Sequence, residues 1–279
     1  MGTFNYSTKD QLAKYADDLA KVYRSEKEKR KDLETANQQL AKYADDLNKT
    51  TFELKVVFQE LEESYLDTIH RLVLAAEYKD EDTGAHIVRM SRYSALLAEK
   101  LGLPDKEVQN IRYAAPMHDV GKIGIPDSIL MKPGKLTDKE FEIVKTHTTI
   151  GAKILANSQA EILQVAEQIA ISHHEKWNGK GYPRGLSGNE IPLGGRIIGM
   201  SDVFDALTSK RPYKDPYPIE AALDIIRKER GQHFDPRVAD TFLDNIDEFL
   251  KIKEEVCVAD DVCLPEFIRS ERDQAEGEI

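Results

Sequence analysis

Leucines at seven-residue intervals restrict the fold of the first part of this chain more than any other feature. Within its 279 residues, seven leucines follow one heptad frame that is interrupted at Glu26; they are Leu12, Leu19, Leu33, Leu40, Leu47, Leu54 and Leu61. Residues 11–19 and 39–47 both read QLAKYADDL, at an offset of four heptads. Neither proline nor glycine occurs in residues 7–83, so a single helix can run through the whole segment.

The heptad pattern predicts a coiled coil over residues 1–65. The leucines occupy d positions, and the weaker set of a positions includes the polar Asn37, which favours a parallel two-stranded coil with a fixed register. The alternative is a solvated helix that lies against its own domain. The repeat also suggests the transmitting stalk of a longer sensor, with a sensor or receiver domain upstream.

The remainder of the chain shows helical periodicity and no convincing alternating strand. Turn signals such as Lys132-Pro133-Gly134 and Asp235-Pro236 separate the apolar segments. The predicted helices are 69–78, 87–101, 106–117, 139–156, 160–172, 195–209, 219–229 and 237–252. We therefore predict an all-α fold: a compact helical bundle over residues 66–252 preceded by the long coiled-coil helix, with a charged tail at 253–279.

Charge and cysteine content exclude several classes of protein. The net charge is −11, whereas a protein that grips duplex nucleic acid usually carries a basic surface. The two cysteines, Cys257 and Cys263, fit neither a thiolate zinc site nor a disulfide framework. No segment is long and apolar enough for a membrane span or a signal core, so the expected location is the cytoplasm.

Histidines next to carboxylates or to each other point to metal chemistry. His118 is followed by Asp119, and His173 by His174, which gives imidazole nitrogens together with a carboxylate that can bridge two ions. Asp82 and His86 lie four residues apart and share a helix face. The pattern predicts a hydrolytic centre with divalent metals. His70 and His233 lack such neighbours, so we assign them structural roles.

Five ordered motifs resemble the HD-GYP domain, a branch of the HD-type metal-dependent phosphohydrolases. The resemblance covers roughly residues 66–252. The motifs are HDVGK (118–122), HTTIG (147–151), HHEKWNGKGYP (173–183), SDVFDALT (201–208) and RPYK (211–214).

The resemblance implies a role for each matching residue. Asp119 would bridge two metals, and Lys122 would act beside the bridging hydroxide and the scissile phosphate. Asp82 would support a third metal, or would only favour the start of its helix. The implied metal ligands are Asp82, His86, His118, Asp119, His147, His173, His174 and Asp202. The implied substrate-binding residues are Gly181, Tyr182, Asp205, Arg211 and Lys214, where Asp205 faces a guanine or orders Arg211.

The implied function is a phosphodiesterase that hydrolyses cyclic di-GMP to linear pGpG, and further to GMP as an open alternative. A metal-bridging hydroxide would attack the phosphodiester, with two or three divalent metals, iron or manganese. Two other functions stay open at this point. One is hydrolysis of another cyclic dinucleotide, such as the mixed guanine–adenine form. The other is a non-catalytic cyclic di-GMP receptor whose stalk signals to a partner such as a diguanylate cyclase.

Overall fold

The computed structural model describes residues 8–77, 79, 84–210 and 215–258, with the side chains of Lys9, Glu77, Cys257 and Val258 left aside. Over these residues the chain forms eleven α-helices and two isolated β-bridges, and no β-sheet. The helices are α1 Thr8–Glu77, α2 Gly84–Lys100, α3 Asp105–Ala114, α4 Asp127–Leu130, α5 Asp138–Lys145, α6 His147–Leu155, α7 Glu161–Ser172, α8 Leu193–Thr208, α9 Ile219–Glu229, α10 Pro236–Asp244 and α11 Ile246–Val258. The predicted all-α fold is confirmed.

The chain divides into two compact units, one up to Glu63 and one from Ser64 onward. In the first unit, the seven heptad leucines are 54–72% exposed. A single copy of the helix therefore leaves its whole leucine row in water. The predicted boundaries at residues 65/66 and 252/253 stay predictions, and both cysteines lie outside the residues with described side chains.

Two apolar clusters form the core of the second unit. The larger is built around Tyr93, Phe204, Phe242 and Phe249, whose rings contact one another at centroid distances of 4.6–5.7 Å. The smaller joins the end of α1 to α2, α3, α7 and α8. Helix α2 packs against α3, α8 and α11. Burial of these side chains fixes the helix ends that carry the polar motifs.

Two predicted helices are each divided in the structure. Segment 139–156 becomes α5 and α6, which meet at Thr146, and segment 237–252 becomes α10 and α11, which meet at Asn245. Helix α5 begins with a capping box between Thr137 and Glu140, in which each side chain binds the other residue's backbone N–H. The break at Thr146 places His147 at the first position of α6, where its ring is buried.

Candidate metal centre

Two groups of side chains bring potential ligand atoms within 4.8 Å of one another in the second unit. They stand at the start of α2, after α3, at the start of α6, after α7 and on α8. The first group is Asp119, His147, His173 and His174, and the second is His86, His118 and Asp202. The structure thus brings together seven of the eight predicted ligands. The eighth, Asp82, lies outside the described residues.

The Asp119 carboxylate belongs to the first group and also lies close to His118 of the second. Its Oδ1 is 3.2 Å from His147 Nε2 and 3.4 Å from His173 Nε2. Its Oδ2 is 3.3 Å from Nε2 of His118. The His118 ring also contacts the rings of His86 and His173, at 5.6 and 5.2 Å between centroids. This is the placement that a carboxylate bridging two cations requires.

Three of the imidazoles are oriented by the ends of helices. Their Nδ1 atoms lie within hydrogen-bond distance of backbone carbonyls near the C-terminal ends of α3, α5 and α7. The contacts are His118 with Ala115 (2.9 Å), His147 with Val144 (2.6 Å), and His173 with Ile169 and Ala170 (3.1 Å each). Because a carbonyl only accepts, Nδ1 carries the proton and Nε2 offers a lone pair to the centre.

Electrostatics favour neutral rings at His173 and His174 and an ionised carboxylate at Asp119. Burial lowers the pKa of His173 and, more strongly, that of His174, which also lies beside His173. Burial alone would raise the pKa of Asp119, but the Lys122 ammonium holds it well below its usual value. Deprotonated ligands are the form that binds a metal ion.

The geometry fits divalent cations. In the described part of the chain, the buried Oδ1 of Asp119 accepts no hydrogen bond, although His147 Nε2 is 3.2 Å away. Two lone pairs that face each other at this distance repel unless a proton or a metal ion lies between them. A mixed set of imidazoles and carboxylates suits Fe, Mn or Zn.

Lys122 stands beside the centre, on a short 3₁₀ segment that runs from Val120 to Gly124. Its Nζ is 2.8 Å from Oδ2 of Asp119, and its side chain is largely buried. The ammonium group of Lys122 is therefore adjacent to the Asp119 carboxylate, as predicted.

Glycines of the motifs permit close backbone packing. A Cβ on Gly121 would lie 1.9 Å from the carbonyl oxygen of His147. A Cβ on Gly181 would lie 2.3 Å from Lys176 N and 2.5 Å from Glu175 Cα. The structure thus adds a second reason for glycine at position 181, because its own loop leaves no room for a side chain. A contact with substrate stays a prediction.

Tyr182 forms one wall beside the first group. Its ring lies 4.8 Å from the His174 ring, and burial raises the pKa of its hydroxyl, which therefore stays protonated. The loop is held by Glu175, whose carboxylate accepts the N–H groups of Arg184 (2.8 Å) and Leu186 (3.0 Å). Sequence reasoning missed Glu175, although its place directly after His173-His174 was a usable signal.

The rim next to Tyr182 contains two further residues that sequence reasoning missed. Phe141 and Lys145 lie one turn apart on α5, and Lys145 Nζ is 5.0 Å from the Phe141 ring centre and 5.5 Å from that of Tyr182. The Phe141 and Tyr182 rings are 6.2 Å apart. Their spacing of four residues just before His147 was the only signal.

Asp205 lies on α8 and contacts two side chains of α2. It is buried, and its carboxylate binds Nδ1 of His86 (2.8 Å) and the guanidinium of Arg89 (2.5 and 3.0 Å). Burial alone would raise the pKa of Asp205, but these two partners lower it below the usual value. That Asp205 faces a guanine or orders Arg211 stays a prediction, because Arg211 lies outside the described residues.

The remaining predicted residues lie away from these contacts or cannot be placed. Arg211 and Lys214 lie outside the described residues. His70 and His233 belong to neither ligand group. His233 stacks on Phe234 at 4.6 Å, and burial lowers its pKa to about 4.

Comparison with known proteins identifies the class to which this fold and site belong. Residues 71–238 match the HD domain family, and the chain belongs to that family. The resemblance to HD-GYP proteins predicted from the motifs is confirmed. Among the described residues, none of the helices has both the length and the apolar character that crossing a bilayer demands.

Individual relatives carry names that specify an activity. The chain is 50% identical over 184 residues to the cyclic di-GMP phosphodiesterase response regulator RpfG of Xanthomonas campestris, covering 66% of this chain and 49% of that protein. It is 47% identical over 186 residues to a cyclic di-GMP phosphodiesterase of Thermotoga maritima, covering 67% and 50%. A 3′3′-cGAMP-specific phosphodiesterase 2 of Vibrio cholerae is 43% identical over 203 residues, covering 73% and 39%.

The chain thus spans about half the length of the first two relatives, and less of the third. A solved structure of a cyclic GMP-AMP specific phosphodiesterase from V. cholerae superposes with a TM-score of 0.50 at 20% identity, covering 73% of this chain and 54% of that one. That likeness concerns the fold.

Proposed function

We propose that this chain is a metal-dependent phosphodiesterase that hydrolyses cyclic di-GMP to linear pGpG, with GMP as the product of a second cleavage. One observation carries the proposal: the Asp119 carboxylate lies close to histidines of both ligand groups, beside Lys122. The relatives named cyclic di-GMP phosphodiesterases, at 50% and 47% identity, support cyclic di-GMP as the substrate.

The two ligand groups would each hold one divalent ion, iron or manganese, and Asp82 would add a third site. Bound there, such ions supply an acidified water and neutralise the charge of the phosphodiester. The neutral His173 and His174 and the ionised Asp119 give the donor set the charge that divalent ions need.

The protein's own groups would bind the phosphate and handle the leaving group. The Lys122 ammonium, next to Asp119, can stabilise negative charge on the phosphate or protonate the leaving ribose oxygen. The Tyr182 hydroxyl stays protonated, so it can donate a hydrogen bond to a phosphate or a base. Arg211 and Lys214 are proposed to bind the phosphates, as the motif resemblance implies.

A substrate comparison tests the proposal directly. The chain, purified without oxygen and loaded with Fe²⁺ or Mn²⁺, is expected to convert cyclic di-GMP to pGpG with a kcat/KM at least tenfold above that for 3′3′-cGAMP. Products are separated by anion-exchange chromatography. The same protein, treated with EDTA to remove divalent ions, serves as the control. Binding of cyclic di-GMP without turnover in metal-replete protein would favour the receptor function instead.

A second substrate is favoured by three other relatives. The V. cholerae proteins named 3′3′-cGAMP-specific phosphodiesterases 1, 2 and 3 are 35%, 43% and 37% identical to this chain. The chemistry at the metals would be the same, and only the base contacts would differ. A kcat/KM that is higher for 3′3′-cGAMP in the same assay would establish this alternative.

The leucine row of α1 is proposed to pair with a second copy in parallel. The seven leucines are 54–72% exposed in one copy and share a single heptad frame. Pairing of two copies would bury each leucine against its counterpart, with Asn37 setting the register. A sensor or receiver domain upstream, a diguanylate cyclase partner and a cytoplasmic location stay predictions.

Removal of two leucines is expected to dissociate this dimer. Leu33→Ala with Leu40→Ala keeps the helix propensity but removes apolar contacts across the interface. Loss of these contacts costs about 2–5 kcal/mol for each buried leucine. Light scattering should then give a monomeric mass at concentrations where the unaltered chain is dimeric. Lys31→Ala with Gln38→Ala, at b positions of the same heptads, is the matched control and should stay dimeric. A monomeric unaltered chain would refute the coiled coil.

A further inference from the structure

The orientation of His86 differs from that of the other imidazoles described above. His118, His147 and His173 place Nδ1 against backbone carbonyls. In contrast, Nδ1 of His86 lies 2.8 Å from Oδ2 of Asp205, a carboxylate on another helix. His86 belongs to α2 and Asp205 to α8, so this contact joins the two helices that contribute to the second ligand group.

Arg89 fixes the carboxylate that His86 contacts. Its Nε lies 2.5 Å from Oδ1 of Asp205, and its Nη2 lies 3.0 Å from Oδ2. Arg89 follows His86 by three residues, so both side chains project from one face of α2 toward α8. His86, Arg89 and Asp205 are each at most 5% exposed. A charged group this deeply buried requires a partner of opposite charge, and the paired guanidinium supplies it.

We propose that Asp205, held by Arg89, is a positioning residue that aims Nε2 of His86 at the metal shared with His118 and Asp202. The carboxylate accepts the Nδ1–H of His86, so the lone pair stays on Nε2 and the ring is held in one orientation. A carboxylate behind a histidine also makes that histidine a stronger ligand. This inference rests on the metal centre of the proposed function. It assigns to the buried ion pair Arg89–Asp205 a part in binding one of the ions at that centre.

Asp205 and Asp202 have different surroundings, although both lie on α8. Asp202 is half-buried and joins the ligand group, whereas Asp205, one helical turn later, is buried against α2. Ser209 Oγ also lies 3.3 Å from Oδ1 of Asp205. Both oxygens thus accept hydrogen bonds from protein groups, and among these described partners His86 is the one that belongs to a ligand group.

The variant Asp205→Asn tests the inference. An amide in this place presents an NH₂ group to either His86 or Arg89, both donors, so one of the two contacts that hold the ring of His86 in place is lost. We expect the affinity for one of two Mn²⁺ ions to fall by about 10–100-fold, the loss typical of such outer contacts. Metal titration followed by mass spectrometry of bound metal should give near one ion per chain where the unaltered protein holds two. EPR of the Mn²⁺ form should change from a spin-coupled pair to a single ion.

Kinetics add a second readout. Turnover of cyclic di-GMP by Asp205→Asn should fall in proportion to the lost ion and recover at raised Mn²⁺, with KM for the nucleotide unchanged. The matched control is Asp235→Asn, which breaks another ion pair of α8, between Arg196 and the buried Asp235 at 2.6 Å. This control should lower the melting temperature yet leave both ions bound.

Each outcome decides the matter. Two ions bound by Asp205→Asn with unaltered affinity would overturn the positioning role and leave the proposed function standing. An unaltered chain that binds no divalent ion would overturn both. If circular dichroism shows Asp205→Asn to be unfolded, Arg89→Lys takes its place, since it keeps the charge but loses the paired contact. Unchanged metal affinity in folded Arg89→Lys would equally overturn the inference.

Discussion

Asp119→Asn is expected to lower the rate of cyclic di-GMP hydrolysis by about three orders of magnitude or more. The amide has the size of the carboxylate but lacks its charge, and Asp119 is the side chain that lies close to histidines of both ligand groups. Divalent ions stabilise transition-state charge by several kcal/mol, and each 1.36 kcal/mol changes a rate tenfold. Measurements of kcat and of bound metal on the same preparation would test this.

The control for that experiment is Asp224→Asn. Asp224 is an exposed carboxylate on α9 that pairs with Arg227 at 2.8 Å, away from both ligand groups. Its substitution should leave metal content and turnover unchanged. Full activity in folded Asp119→Asn would exclude Asp119 as a bridge between ions.

Gly121→Ala is expected to destabilise the second unit by about 3 kcal/mol, at the upper end of the usual cost of overpacking. The new Cβ would lie 1.9 Å from the His147 carbonyl oxygen and 2.5 Å from the Gly151 amide nitrogen. Both are backbone atoms of α6, so neither can rotate away as a side chain would. The free energy of unfolding, measured with urea, should fall accordingly.

Gly84→Ala is the matched control for this prediction. A Cβ there would meet Leu74 Cδ2 at 3.6 Å, an ordinary van der Waals contact, at the first residue of α2. Its effect should stay within about 0.5 kcal/mol. Equal stability of Gly121→Ala and the unaltered chain would show that α6 can move away from this turn.

Local sequence signals predicted the helices but not every break between them. Segment 219–229 agrees with α9 at both ends, because Pro218 and the charged last turn mark it. Thr146 carries no breaker signal, yet α5 ends there because α6 must turn the buried His147 toward Asp119. Such a break follows from a contact with a distant part of the chain, which periodicity does not contain.

Local sequence signals likewise revealed some features of the candidate site and not others. Adjacent pairs such as His118-Asp119 showed which residues could bind metal, since the pairing itself carries the chemistry. The partner of Asp205 was hidden, because Arg89 lies 116 residues away in the chain. Spacing placed Asp205 on the same helix as Asp202 but could not say which neighbouring helix it would meet.

Hydrogen bonds from His118, His147 and His173 to carbonyls at three helix ends couple ion binding to the winding of those ends. An unwound last turn releases the ring, so bound ions favour the wound state by RT ln(1 + [L]/Kd), about 2.7 kcal/mol at a hundredfold excess over Kd. Chelation should therefore speed amide hydrogen exchange at the ends of α3, α5 and α7 before the core exchanges. The bound metal ions would then stabilise the conformation of the protein as well as take part in catalysis.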